Sequence, residues 1–162
     1  MGSYYQNYYT ILSQQTYRTQ LKQIAEYVGS NLIDIVTLSQ TIPGDQFLSK
    51  TIEIPYSINE NLYDLSLIKT PTSKIDVDVV RLISIIVKNN QYSIVDMPWS
   101  GENLLIYTNQ TIPRSDILIS SSISSNAAAS QAVIRKEPTK MIVWCLKTNN
   151  VIVIGFGVMD RA

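Results

Sequence analysis

The sequence predicts an α+β fold, a long N-terminal amphipathic helix packed on an antiparallel β-sheet or β-sandwich. Three observations lead there. From Tyr4 to about Gln40 there is no proline and only one glycine, Gly29, among frequent helix formers. Beyond Pro43-Gly44 the apolar period changes to two, in short runs of Ile, Val, Leu and Tyr divided by turn residues. Of the 162 residues, 45% are hydrophobic, enough for one core without disulfides or metals. The expected organisation is a helical stalk over 4–42 and a β region over 47–162, forming one compact unit.

Within the helix, apolar or aromatic residues fall at Tyr5, Tyr8, Leu12 and Tyr17, then at Leu21, Ile24, Val28, Leu32 and Ile35. Spacings of three and four place them on one face. Leu21, Ile24, Val28, Leu32 and Ile35 are therefore the candidate packing or assembly stripe, with Gln20, Lys22, Gln23 and Glu26 turned to water. A helix of about 35 residues runs roughly 50 Å, longer than a domain of this size is wide, so part of it should protrude or dock elsewhere. Gly29 is the expected bend, and Pro43-Gly44 the stop.

Strands are expected near Ser49 to Ile54, Leu62 to Ile68, Ile75 to Val87, Tyr92 to Asp96, Leu104 to Tyr107, Asp116 to Ser120, Gln131 to Lys136, Met141 to Leu146 and Val151 to Val158. The nearly unbroken apolar run from Arg81 to Lys88 suits either a strand covered on both faces or a helix turn, and its Ile and Val content favours the strand. Asn-rich turns at Lys88-Asn89-Asn90-Gln91 and Lys147-Thr148-Asn149-Asn150 mark hairpins, because Asn tolerates positive φ. The serine-rich stretch from Ser120 to Ser130 reads as a surface loop.

Chemistry is constrained by what is missing from the sequence. There is no histidine, which removes the commonest general base and zinc ligand. Cys145 is the single cysteine, so no intramolecular disulfide forms, and its apolar setting suits an inert thiol. Thirteen basic and thirteen acidic residues cancel without any like-charge run, which argues against nucleic acid as partner. Asp76 and Asp78 share a strand face, but alternation alone requires polar residues there. Gly155-Phe156-Gly157 suits relief of crowding in a last strand better than a phosphate loop. A Ser-Lys dyad drawing on Lys136 or Lys140 is the one hydrolytic arrangement left. The expectation is no enzyme, no cofactor and no metal. Asn109-Gln110-Thr111, followed by Pro113, forms an N-glycosylation acceptor on a loop, making Asn109 a candidate modification site if the chain is exported.

No stretch reaches the roughly 18 apolar residues that span a bilayer. Met1-Gly2-Ser3 reads as a tag remnant joined to an internal residue, implying a segment upstream. Tyr4, Tyr5, Tyr8 and Tyr9 crowd the helix start, which suits either emergence from a bilayer interface or an exposed helix end.

Gln20-Leu21-Lys22-Gln23-Ile24-Ala25-Glu26-Tyr27-Val28, with Thr51-Ile52-Glu53-Ile54-Pro55 and Leu62-Tyr63-Asp64-Leu65, resembles the post-membrane part of archaeal type IV pilin-like secreted proteins. The likeness covers roughly the first 70 residues, and accessory surface proteins of the archaellum are close to it. The resemblance implies an upstream signal peptide and hydrophobic anchor helix, an extracellular domain at the cell surface, and partners among pilin or S-layer-type envelope subunits, with self-assembly. The expected function is contact in filament assembly, adhesion or envelope attachment. A structural or accessory protein of an archaeal virus is the alternative.

Overall fold

A computed structural model describes residues 2–72, 75–86, 88–100, 103–125 and 139–159, with side chains from Tyr17 onward and outside 70–78 and 100. Helix α1 (Gly2–Thr41) is followed by β1 (Gln46–Ile54), β2 (Tyr63–Thr72), β3 (Ile75–Ile86), β4 (Gln91–Ser100), β5 (Leu104–Ile106), β6 (Ile117–Ser120), β7 (Ser122–Ser124), β8 (Thr139–Thr148) and β9 (Val151–Met159). The expected strand over Gln131 to Lys136 lies outside the described residues.

The α+β expectation of a helix lying on a sheet is corrected: the chain is mostly β, one helix with two sheets. The first sheet runs β1-β8-β9, and β9 carries both β5 and β6 on its far edge. The second runs β4-β3-β2-β7. Not all pairing is antiparallel, since β5 joins β9 in parallel, Leu104 opposite Ile152. Beside it β6 pairs antiparallel, Ile117 opposite Met159.

The two sheets approach each other where β7 meets β9 and β2 meets β5. On the other side α1 touches β3 and β4 of one sheet and β1 and β8 of the other. The helix is thus a wedge in a sandwich that opens on one side. Its buried positions explain why one sheet does not suffice. Leu21, Ile24, Ala25, Val28, Asn31, Leu32, Ile35, Val36 and Ser39 are all buried, as is Gly29. At about 100° per residue these positions cover an arc of roughly 160°, wider than a single-sheet stripe.

Gly29 has a packing role. The chain stays helical through it, and a Cβ there would lie 2.7 Å from Met97 Cε of β4. Its missing side chain lets the helix approach the second sheet closely.

Strands β8 and β9 are doubly covered, with Met141 to Cys145 and Ile152 to Gly157 buried on both faces. The run expected to have that property lies in β3, where Leu82, Ser84 and Ile86 are buried and Ile83 and Ile85 only half-buried. Inward from β8, Met141, Val143 and Cys145 join the main core. Outward, Trp144 is fully buried beneath the segment between β5 and β6, with the Tyr107 ring 5.7 Å away at 74° and the Phe47 ring at 5.9 Å. Arg114 pins that segment down by bonding Asp116 (Nη2 to Oδ2, 2.6 Å) and Ser49 Oγ (3.1 Å).

The hairpin turns use Asn as expected. Asn90 (φ 56°), Asn149 (φ 52°) and Asn150 (φ 66°) occupy the left-handed region that their short polar side chains tolerate. Between β3 and β4, and again between β8 and β9, they reverse the chain within a few residues.

Candidate functional site

The only strongly buried cation among the described residues stands at the C-terminal end of α1. Lys147 projects inward from β8, two residues after Cys145, and is 8% exposed. Its Nζ donates to Ile42 O at 2.8 Å and to Ser39 O at 3.1 Å. These carbonyls belong to the end of a helix, where backbone acceptors lack intrahelical partners and the macrodipole favours positive charge. Gln46, which faces Lys147 across the β1–β8 ladder, sends Nε2 to the same two oxygens at 3.1 Å each. Asp45 Oδ1 accepts from Asn149 N at 2.9 Å, which ties the β8–β9 turn to the segment leaving the helix.

The spacing follows from element geometry. Cys145 Sγ lies 3.7 Å from Ile35 O, and Lys147 reaches Ser39 O. Two residues along a strand advance about 6.8 Å and four along a helix about 6 Å, so successive inward positions of β8 meet successive turns of α1. From the opposite sheet, Ser84 Oγ donates to Leu21 O at 3.1 Å.

Beside Lys147 a cleft of about 450 Å³ opens between the sheets. Gln40, Pro98, Trp99, Asn103, Leu104, Lys147, Asn150 and Ile152 line it. Trp99, Leu104, Lys147 and Ile152 are buried and form its floor, whereas Gln40, Pro98, Asn103 and Asn150 are exposed at its rim. This site was not expected from the sequence. Lys147 sat in a hairpin signal, and only its inward register, set by the Gln46 pairing, reveals a cation facing the core.

The stripe residues lie elsewhere. Leu21, Val28 and Leu32 are fully buried, and Ile24 and Ile35 are 8% and 7% exposed. All five belong to the core between the sheets. Lys22, Gln23 and Glu26 are exposed and Gln20 is half-buried. In this chain the stripe is therefore taken up by the chain's own strands.

Asn109 and Thr111 are exposed on the segment over Trp144. Asn109 N and Thr108 N donate to Gln110 Oε1 at 3.2 and 2.8 Å, which shapes the acceptor loop locally. Cys145 is fully buried, and burial pushes its thiol up, against a smaller opposing pull from Ser39 and the Leu48 backbone. That is a thiol held protonated, without nucleophilic character at neutral pH. Lys140 is exposed on β8, and Lys136 lies outside the described residues, as do the side chains of Asp76 and Asp78. Among the described residues no three of His, Cys, Asp and Glu gather as metal ligands, and no helix is long and apolar enough to cross a membrane.

Gly155 and Gly157 serve packing. A Cβ on Gly155 would stand 2.5 Å from Trp144 Cζ2, its register partner's indole, and one on Gly157 would stand 3.1 Å from Leu118 O.

No family model, curated protein or solved structure matches this chain.

Proposed function

We propose that this chain is the exposed domain of a pilin-like cell-surface appendage protein, acting by contact in filament assembly, adhesion or envelope attachment and not by catalysis. The observation that carries the reading is a mismatch of length. Helix α1 has 40 residues, about 60 Å at 1.5 Å each. Its buried run, Leu21 to Ser39, covers about 27 Å, comparable to the roughly 33 Å of the ten-residue strand β8. Among the described side chains, the β body grips the C-terminal half of the helix, and about five helical turns precede Leu21. A helix about twice as long as the run that the body holds suits a stalk joining the body to an assembly. The exposed acceptor at Asn109 suits an exported surface.

The test is location. Antibody against the folded domain should label intact source cells, and the chain should co-purify with filaments sheared from their surface. Recovery from the cytosolic fraction would overturn the reading, and recovery with virions would replace it by the viral alternative.

A further inference from the structure

We propose that the cleft between Trp99 and Lys147 is a binding site for a sugar acid of monosaccharide size, a uronic acid in chemical class. The cleft's volume, about 450 Å³, lies within the roughly 300–1,000 Å³ of small-molecule sites. Its rim carries three carboxamides, Gln40, Asn103 and Asn150. Each carboxamide both donates and accepts, as vicinal hydroxyls require of their partners. Its buried lining joins the apolar Leu104 and Ile152 and the aromatic Trp99 to one cationic residue, Lys147.

That ammonium selects the charge of the ligand. Two of its three N–H groups are committed to Ser39 O and Ile42 O, and among the described residues the third has no acceptor. Among the described residues no carboxylate lines the cleft. A buried cation offset only by a helix end's partial charge attracts an anion, and a hydrogen bond to it is charge-assisted. A neutral sugar can meet that donor only with an uncharged hydroxyl, without charge assistance, and a bare carboxylate leaves the three carboxamides unused. A hydroxylated ring bearing one carboxylate uses both. The inference stands apart from the appendage reading: cell labelling tests where the chain resides and titration tests the cleft, so each can fail alone.

The experiment is an NMR titration of the intact chain with sodium glucuronate, glucose and sodium acetate at fixed ionic strength. It follows the side-chain amides of Gln40, Asn103 and Asn150 and the indole N–H of Trp99. Glucuronate should shift these four, with glucose and acetate weaker by at least about ten-fold, the factor one charge-assisted hydrogen bond supplies. Affinity should fall as salt rises. No response to glucuronate, or an equal response to glucose or acetate, overturns the proposal. Because Lys147 also holds the helix end, the diagnostic variant is Asn150→Gly. Glycine adopts the positive φ of this turn freely, so the fold is retained while one rim amide is lost. Its unfolding midpoint should not fall and its glucuronate affinity should drop at least about three-fold. Unchanged affinity overturns the assignment of the site.

Discussion

Lys147 Nζ lies 2.8 Å from Ile42 O, joining a strand near the end of the chain to the residue that follows helix α1, 105 residues away. The bond closes the wedge. A helix gripped by two sheets has to be fixed along its axis as well as across it, and apolar contacts slide more readily than a charge-assisted hydrogen bond. With Gln46, Lys147 saturates carbonyls that burial would otherwise leave without partners.

Lys147→Met should therefore lower stability by about 2 kcal/mol, the scale of a hydrogen bond to a charged group plus a helix-end charge. Gln46→Leu should cost about 1 kcal/mol. Because both side chains serve the same two oxygens, the double variant should cost more than the sum, which urea denaturation midpoints in a double-mutant cycle would measure. Strict additivity would show that water already satisfies the helix end.

Gly155→Ala should destabilise by about 1–3 kcal/mol, since its Cβ would overlap an indole held by Phe47 and Tyr107 and by an Nε1 bond to Phe156 O at 2.9 Å. Combined with Trp144→Leu, which removes the overlapping ring atoms, the same alanine should cost little. Thermal melts of the two singles and the double check this coupling directly.

Alkaline pH should unfold the protein through Tyr63. Its side chain is fully buried, its hydroxyl donates to Pro55 O, and burial pushes its ionisation far above the ordinary value of 10.0. The sign follows from linkage: a proton held more tightly by the folded state stabilises fully below the unfolded value and progressively less above it. The denaturation midpoint should accordingly be insensitive to this group below about pH 9 and fall between about pH 10 and 12. Tyr63→Phe should be less stable at neutral pH and show a shallower alkaline decline.

Much of this architecture was legible in local sequence. Pro43-Gly44 ended the helix, Asn90 and Asn149-Asn150 placed both Asn-based hairpins, and Thr51 to Ile54 alternated as β1 does. The strand at Ser122 to Ser124 was missed because three residues rich in serine carry no apolar period, and its pairing with Asp64 to Ser66 of β2 is set by tertiary contact. The two-sheet clasp escaped notice for a different reason. Its signal was Ala25, Gly29 and Val36 widening the helix's apolar arc, and small residues there also fit an ordinary single-sided helix. The unbroken run Met141 to Cys145 was the second sign, a strand with no water-facing side. The cleft was not legible at all, because its lining comes from the helix end, β4, β5 and the last hairpin, and only folding gathers them.

Ile24→Asp should cost several kcal/mol by placing an unpaired charge between the sheets, whereas Gln23→Asp, one position away and exposed, should fall within about 0.5 kcal/mol of wild type. Similar costs for the two would mean that the helix rotates on its bed.

As a stalk, the helix would need the β body only from Tyr17 onward, the turns before it serving attachment. Denaturant unfolding of a chain beginning at Tyr17, beside the full chain, tests it most directly. One cooperative transition is expected, with stability within about 0.5 kcal/mol of the full chain and nearly the same dependence on denaturant, because every side chain described as buried is retained. Loss of the cooperative transition, or a marked drop in that slope, would show that the first turns belong to the core and would contradict the stalk.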